Sequence, residues 1–318
     1  MQAFSVIIAM GKSSPYVERC VLDCLALSEV LEVFVVPDGR IDIGIRDKRL
    51  KIIPSGKVGP GQKRDIAAKA AKGKFLAFID DDAYPDASWL SSAEKLFSNP
   101  HVAGVGGPAV TPEEDSFLQR ASGLTYSSPL CSGGYDFRYV PSKARDCDDI
   151  PTVNLIIRKA DFEAVGGFDT NFWPGEDTKL CLDLVHGRKK RLLYSPDVLV
   201  YHHRRPLFVK HLRQVSNYAL HRGFFVKKFP QTSLRPSYFL PSLAVLGALL
   251  LFGLGFSNPL FWLALIALVV LHLLVSFVFG VLLESAAMGL FVAFGSLLTH
   301  LFYGVFFIAG LLSPKLSR

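Results

Sequence analysis

The sequence predicts an α/β domain built on a parallel sheet wrapped by helices, followed by membrane-embedded helices. Three observations carry this. Short apolar runs alternate with amphipathic stretches over residues 4–205, the pattern of strands joined by helices. Phe75-Leu76-Ala77-Phe78-Ile79 is too short to span a bilayer but suits a fully buried strand, and it runs straight into Asp80-Asp81-Asp82. No Asp, Glu, Lys or Arg occurs between Pro236 and Leu283, nor between Ser285 and Pro314, and each stretch is longer than a spanning helix requires.

In order, Phe4-Ser5-Val6-Ile7-Ile8-Ala9 is the first buried strand. Ser13 or Ser14 before Pro15 supplies a helix start, after which Val17, Val21, Cys24 and Leu25 share one face. Residues 31–36 form a second strand ending in Pro37-Asp38-Gly39, and Lys51-Ile52-Ile53 a short third. Gly59-Pro60-Gly61 leads into a helix over 62–71, and the strand with its three aspartates comes next. Further on, a helix is expected over 178–186 and a strand over 192–201. Phe208, Leu212, Val215 and Ala219 recur at helical spacing among basic residues. This marks a helix lying on a membrane surface, or else one facing a protein core. Spans are expected over 238–256, 260–282 and 287–312, with a turn at Ser257-Asn258-Pro259 and Glu284 closing the second.

At 318 residues the chain should hold two parts: a catalytic domain over 1–225, with 206–235 as interfacial helix and linker, and a membrane domain over 236–318. The net charge of +7 is unevenly placed. Arg204, Arg205, Lys210, Arg213, Arg222, Lys227, Lys228 and Arg235 precede the first span, which favours a cytoplasmic setting and contact with anionic membrane lipid over nucleic acid. Lys315 and Arg318 beyond the third span oppose this only mildly. Phe4 to Ala9 lacks the cleavage site of a signal peptide. Cysteines 20, 24, 131, 147 and 181 are odd in number and lack metal-ligand pairing, so they read as reduced thiols. His272 and His300, inside spans, read as neutral imidazoles packed between helices.

Three adjacent carboxylates repel unless a cation or hydrogen bonds hold them. At the carboxyl end of a central strand, where open α/β sheets bind ligands, the natural cation is Mg²⁺ or Mn²⁺ carrying a phosphate. The competing reading is a solvated acidic turn.

Several motifs follow one another in order: Ser5-Val6-Ile7-Ile8, Val35-Val36-Pro37-Asp38-Gly39, Gln62-Lys63-Arg64 and Phe78-Ile79-Asp80-Asp81-Asp82. Then come Pro151-Thr152-Val153-Asn154, Gly166-Gly167-Phe168-Asp169, Pro174-Gly175-Glu176-Asp177 and Val200-Tyr201-His202-His203-Arg204-Arg205. The set resembles family 2 glycosyltransferases, whose GT-A fold is a Rossmann-like domain for nucleotide-diphospho-sugars. By that resemblance Asp80 and Asp82 end an Asp-x-Asp motif, with Asp82 a metal ligand and Asp80 near metal, ribose or nucleotide. Asp81 belongs to the donor site or turns into the fold. Asp38 would accept a hydrogen bond from the base, unless it only shapes an Asp-Gly turn. Lys63 and Arg64 would hold the diphosphate, or be solvated.

The same resemblance implies that Asp177 takes the role of general base and that Glu176 contacts the acceptor or positions the loop, while both acids also suit a helix start. Asn154 resembles a residue near the acceptor, and Trp173 either stacks on a sugar or packs in the core. By the resemblance, one of His202 and His203, with His202 favoured, approaches the metal or the diphosphate; adjacent strand residues point to opposite faces. The chain departs from the pattern at Ala9 and at Pro37, where relatives carry Pro and often Asp. Gln214-Val215-Ser216-Asn217-Tyr218 stands where processive synthases carry Gln-x-x-Arg-Trp, which argues for one sugar per encounter.

The expected protein is a multi-pass enzyme of the cell (inner) membrane with its catalytic domain cytoplasmic. It is inverting and metal-dependent, and it moves sugar from a nucleotide-sugar donor to a polyprenyl-linked glycan acceptor. Direct transfer to polyprenyl phosphate is the rival, but that anionic acceptor needs no base such as the Glu-Asp pair offers. A transport component with a regulatory globular part would need more than three spans, and a non-catalytic binding protein has no reason to keep the acidic positions.

Overall fold

The computed structural model describes residues 3–12 and 14–316, so Ser13 and Arg318 lie outside the described residues. The chain gathers into two compact units, Met1–Val110 with Val140–His203, and Thr111–Tyr139 with Arg204–Arg318. This division differs from one drawn at residues 225 and 236: residues 111–139 and 204–225 group with the apolar helices.

The first unit opens with β1 (Phe4–Ala9), α1 (Val17–Ala26), β2 (Val30–Val36) and β3 (Leu50–Ile52). It continues through α2 (Pro60–Ala70), β4 (Phe75–Asp80), β5 (Ala83–Pro85), α3 (Trp89–Leu96), β6 (Val102–Gly106) and β7 (Ala109–Val110). In the second unit, α4 (Phe117–Ser127) and α5 (Pro129–Ser132) follow. The chain then re-enters the first with β8 (Arg145–Cys147), β9 (Asn154–Arg158), α6 (Lys159–Ala164), α7 (Glu176–Leu182), β10 (Arg191–Tyr194) and β11 (Val200–His202).

Eight strands form one sheet in the order β3-β2-β1-β4-β9-β6-β10-β8. β1 and β4 are buried on both faces except at Asp80, which explains their unbroken apolar runs. Strand order reverses between β1 and β4, which makes their carboxyl ends the place where such sheets bind ligands. The sheet is mixed, not parallel throughout: β9 runs antiparallel to both β4 and β6. The reason is where the chain comes back. Asn154 pairs with Ile79 and Leu155 with Gly106, so β9 enters at the carboxyl edge and must run against its neighbours.

The single strand expected over 192–201 is two strands in different sheets, separated by residues 195–199 with Pro196 among them. Proline lacks the N–H that a ladder needs. β11 joins β5 and β7 in a three-stranded sheet, pairing antiparallel to β5 with His202 opposite Ala83. α2 starts on Pro60 with Gln62 accepting the Gly59 N–H at 3.2 Å. The helix expected over 178–186 is α7, running on into a wider turn over Asp183–Gly187.

The second unit adds α8 (Val209–Lys228), α9 (Pro230–Ser233), α10 (Pro236–Leu254), α11 (Leu260–Leu283) and α12 (Ala286–Leu312). The last three have 19, 24 and 27 residues with mean hydropathies of 1.9, 2.8 and 1.8, long and apolar enough to cross a membrane. α10 and α11 turn Leu243, Leu249, Leu263 and Val270 outward. α12 is more enclosed, with α4, α8, α10 and α11 packed on it. Leu212, Val215 and Ala219 of α8 are buried, so that apolar stripe faces protein and is not free to lie on a membrane surface. Small residues let the backbones close in: a Cβ on Gly223 would lie 2.1 Å from the Phe307 carbonyl, and one on Gly310 2.0 Å from that of Leu220. His272 and His300 pack with ring centroids 5.1 Å apart, His272 Nε2 lying 2.8 Å from Ser296 Oγ. Arg204 is buried rather than lipid-facing, its Nε donating to Thr111 Oγ1 at 3.2 Å and its guanidinium 5.1 Å from the Tyr139 ring centre. The five cysteines are free thiols.

Candidate active site

The acidic turn leaves β4 at Asp80 and enters β5 at Ala83. Pairing of Ala83 with His202 sets that imidazole beside the turn, with Nε2 3.2 Å from Asp82 Oδ1. Asp80, Asp82 and His202 each offer a ligand atom, and these atoms lie within 4.8 Å of one another. Two carboxylates and an imidazole suit Mn²⁺, and Mg²⁺ less well because it prefers oxygen. His203 takes the opposite side of the strand end and is buried. Asp81 is not in the trio. Its side chain bonds to Ser14, and burial together with Asp82 and Asp80 pushes its carboxyl up to about 7.

The two cations of α2 are neither solvated nor turned toward an open groove, because Lys63 and Arg64 lie on the buried face of that helix. Lys63 Nζ bonds to the Met10 carbonyl and to the Asp38 carboxylate. Asp38 in turn donates its N–H to the Gly11 carbonyl at 3.1 Å, tying the ends of β1 and β2. Arg64 places Nη2 2.8 Å from Asp80 Oδ1 and Nη1 2.8 Å from Glu176 Oε1. Burial opposes its charge, yet Asp80 and Glu176 outweigh it and hold the guanidinium pKa above its ordinary range. Direct contact with a diphosphate, expected for both cations, gives way to a buried framework of ion pairs.

Glu176 is likewise buried, and its second oxygen accepts the Gly175 N–H at 3.1 Å. Both of its oxygens are thus engaged within the protein. Asp177 is half-buried on the first turn of α7, its Oδ1 accepting the Thr178 N–H at 2.8 Å. The loop before α7 turns through Gly166 and Gly167 at φ of 82° and 80°, and Gly175 at 118° opens the helix. Phe168 anchors this loop, buried edge-on to Phe78 with ring centroids 5.3 Å apart. Trp173 is 67% exposed, which removes core packing as its role.

Asn154 is 1% exposed. Its Oδ1 accepts from Trp89 Nε1 at 2.8 Å, and its Nδ2 donates to the carbonyls of Val198 and Pro108 at 2.7 and 3.1 Å. An amide so engaged pins four segments together and has no donor left for an acceptor sugar. That expectation is therefore corrected. Sequence reading missed the Arg64 bridge and the Trp89–Asn154 bond, since each joins residues far apart in the chain. It also passed over Tyr16, whose ring stacks on His203 at 4.0 Å.

The family described as glycosyl transferase family 2 matches residues 5–166. A pre-mycofactocin glycosyltransferase of Mycobacterium tuberculosis is 29% identical over 168 residues, which cover 52% of this chain and 33% of that protein. A poly(ribitol-phosphate) β-N-acetylglucosaminyltransferase of Staphylococcus aureus is 31% identical over 130 residues, 35% of this chain and 22% of that one. The chain thus spans about a third or less of the length of these two relatives. Among solved structures, a mannosyltransferase from Pyrobaculum calidifontis in complex with GDP-Man and Mn²⁺ superimposes with a TM-score of 0.57 at 18% identity, covering 98% of this chain and 88% of the other. GalNAc-T7 with UDP, GalNAc and Mn²⁺ gives 0.51 at 15% identity, covering 74% and 52%. At such identities the likeness is one of fold, the mixed α/β sheet domain of GT-A glycosyltransferases. With the family match extending over half its length, this chain belongs to glycosyl transferase family 2.

Proposed function

We propose that the chain is a metal-dependent, inverting glycosyltransferase. It transfers sugar from a nucleotide-diphosphate donor to a hydroxyl of a lipid-linked glycan at the cytoplasmic face of the inner membrane. The observation that carries this is the convergence of Asp80, Asp82 and His202 at the reversal of strand order, joined through Arg64 to the residue beside Asp177. Asp80, Asp82 and His202 would hold Mn²⁺ or Mg²⁺. Bound there, the ion supplies Lewis-acid neutralisation of the departing diphosphate.

The other roles fall to the chain itself. Asp38, fixed by Lys63, offers its remaining acceptor capacity to the base. Asp177, set by α7 and its Gly175 start, takes the proton of the attacking hydroxyl. Arg64 keeps the acidic turn and the α7 start in one register. Trp173, exposed beside that start, presents a face on which an acceptor sugar stacks. The three apolar helices support a membrane setting and hence an acceptor carried on lipid.

The test uses full-length protein in detergent with Mn²⁺, a panel of nucleotide sugars and polyprenyl-linked acceptors, reading release of nucleoside diphosphate. Turnover with one donor, lost in both Asp82→Ala and Asp177→Asn, is expected. Full turnover in Asp177→Asn with polyprenyl phosphate as acceptor would replace this reading with lipid-phosphate sugar synthesis. No turnover and no nucleotide binding across the panel would remove the catalytic reading.

A further inference from the structure

The segment leading into α1, with the helix's first turn, touches two residues of the acidic turn and reaches the third through His203, although none of its side chains belongs to the trio. Ser14 bonds the Asp81 side chain, the Cys20 thiol donates to the Asp80 carbonyl at 3.6 Å, and Tyr16 reaches Asp82 by way of His203. The Tyr16 and His203 rings lie nearly parallel, 16° apart with centroids at 4.0 Å, and His203 is 6% exposed. The His203 N–H donates to the Asp82 carbonyl at 2.9 Å, so strand end and acidic turn are one hydrogen-bonded piece.

A second contact braces the same piece. Three residues after Tyr16, Arg19 lies 3.6 Å over the Tyr84 ring, and Tyr84 stacks on Tyr201 at 4.9 Å. Successive residues of an extended strand point to opposite faces, so a grip on His203 fixes the direction in which His202 projects. Losing the grip frees the pleat to rotate, and an imidazole misdirected by a fraction of an ångström is a poorer ligand.

We propose that Tyr16 is a positioning residue for the metal ligand His202, acting through its stack on His203. The inference rests on the reading of Asp80, Asp82 and His202 as metal ligands. It assigns Tyr16 no contact with donor, acceptor or ion.

The test is Mn²⁺ binding by full-length protein in detergent, with and without UDP or GDP, read from the electron paramagnetic resonance signal of free Mn²⁺. Tyr16→Phe keeps the ring and should bind as the unaltered protein does. Tyr16→Leu keeps bulk without the stack and should bind Mn²⁺ about 10-fold or more weakly, in the range seen when groups behind a metal ligand are lost. His202→Ala is the reference for full loss of that ligand. Thermal midpoints of all variants separate this effect from unfolding: a weakened site with an unchanged midpoint is the expected pairing. Unaltered binding in Tyr16→Leu, with His202→Ala weakened, would overturn the positioning role and leave the metal reading standing. Unaltered binding in His202→Ala, or none in the parent protein, would overturn both. Equal weakening in Tyr16→Phe and Tyr16→Leu would show that the hydroxyl and not the stack matters, and would also sink the proposal.

Discussion

Arg64 and Glu176 stand 112 residues apart in the chain, yet their guanidinium and carboxylate meet at 2.8 Å with both side chains buried. The same guanidinium holds Asp80 at 2.8 Å. A cation shared by an acidic turn and a second loop makes each loop's position depend on the other's. Removing it strands a buried carboxylate, which is costlier than the pair is stabilising. Arg64→Met is therefore expected to cost about 3–5 kcal/mol. Adding Glu176→Gln should return part of that, and thermal unfolding of the single and double variants in detergent measures both.

Asp177 lies half-buried at the start of α7, next to the anchored Glu176. Asp177→Asn keeps size and polarity but cannot take a proton. Turnover should fall by about 10²–10⁴ while the affinity for nucleotide stays unchanged. Paired initial-rate and nucleotide-binding measurements check this.

Asn154 contributes to folding rather than to substrate contact. Asn154→Leu would leave the Trp89 N–H and the Val198 carbonyl without this partner in a buried setting, while the Pro108 carbonyl keeps the Val200 N–H. At about 1–3 kcal/mol for each stranded group, a loss of at least 2 kcal/mol is expected. A lowered thermal midpoint with an unchanged KM in the surviving folded fraction is the predicted result.

His211 sits between Ser122 Oγ at 2.7 Å and Thr299 Oγ1 at 2.9 Å, with the Tyr126 ring 4.5 Å away. Burial lowers its pKa from 6.5 to about 4. The unfolded chain takes up a proton that the folded one refuses. The stabilisation is thus complete above the unfolded value of 6.5 and is lost as pH falls toward 4. The loss over that window is up to about 3 kcal/mol. Thermal midpoints of the full chain should drop across it, and His211→Gln should flatten the slope.

Gly310 has no room for a side chain. A Cβ there would stand 2.0 Å from the Leu220 carbonyl, a backbone atom that cannot rotate aside. Gly310→Leu should separate α8 from α12, with a lower thermal midpoint and faster proteolysis between residues 204 and 236. Gly247→Leu, where nothing lies within 4 Å, is the control expected to leave both unchanged.

Much of the first unit could be read from local pattern. β1, β2 and β4 are nearly continuous apolar runs because both faces of the sheet are buried there. The direction of β9 could not be read, since it depends on where the chain returns and not on which residues compose the strand. Pro196 was a visible signal that the run over 192–201 is broken. The trio was half legible: the aspartates are contiguous, while His202 joins them only through pairing with β5. The burial of Lys63 and Arg64 was hidden because their partners lie 25, 16 and 112 residues away. The stripe on α8 was plain as a stripe; what covers it was not, because lipid and protein make the same apolar demand.

The placing of β9 also governs the order in which the protein can be made. β4 is finished at Asp80, but the strand that covers its outer edge begins only at Asn154. A nascent chain therefore carries Phe75–Asp80 with one ladder of backbone groups bare while the whole of residues 81–153 is synthesised. Nor can β6 and β10 attach early, because β9 alone links them to the first half of the sheet. β9 is thus a keystone set late. Ribosome stalling between Asp80 and Arg158 exposes a sticky half-sheet, and synonymous codons that speed this interval should raise the yield of folded enzyme.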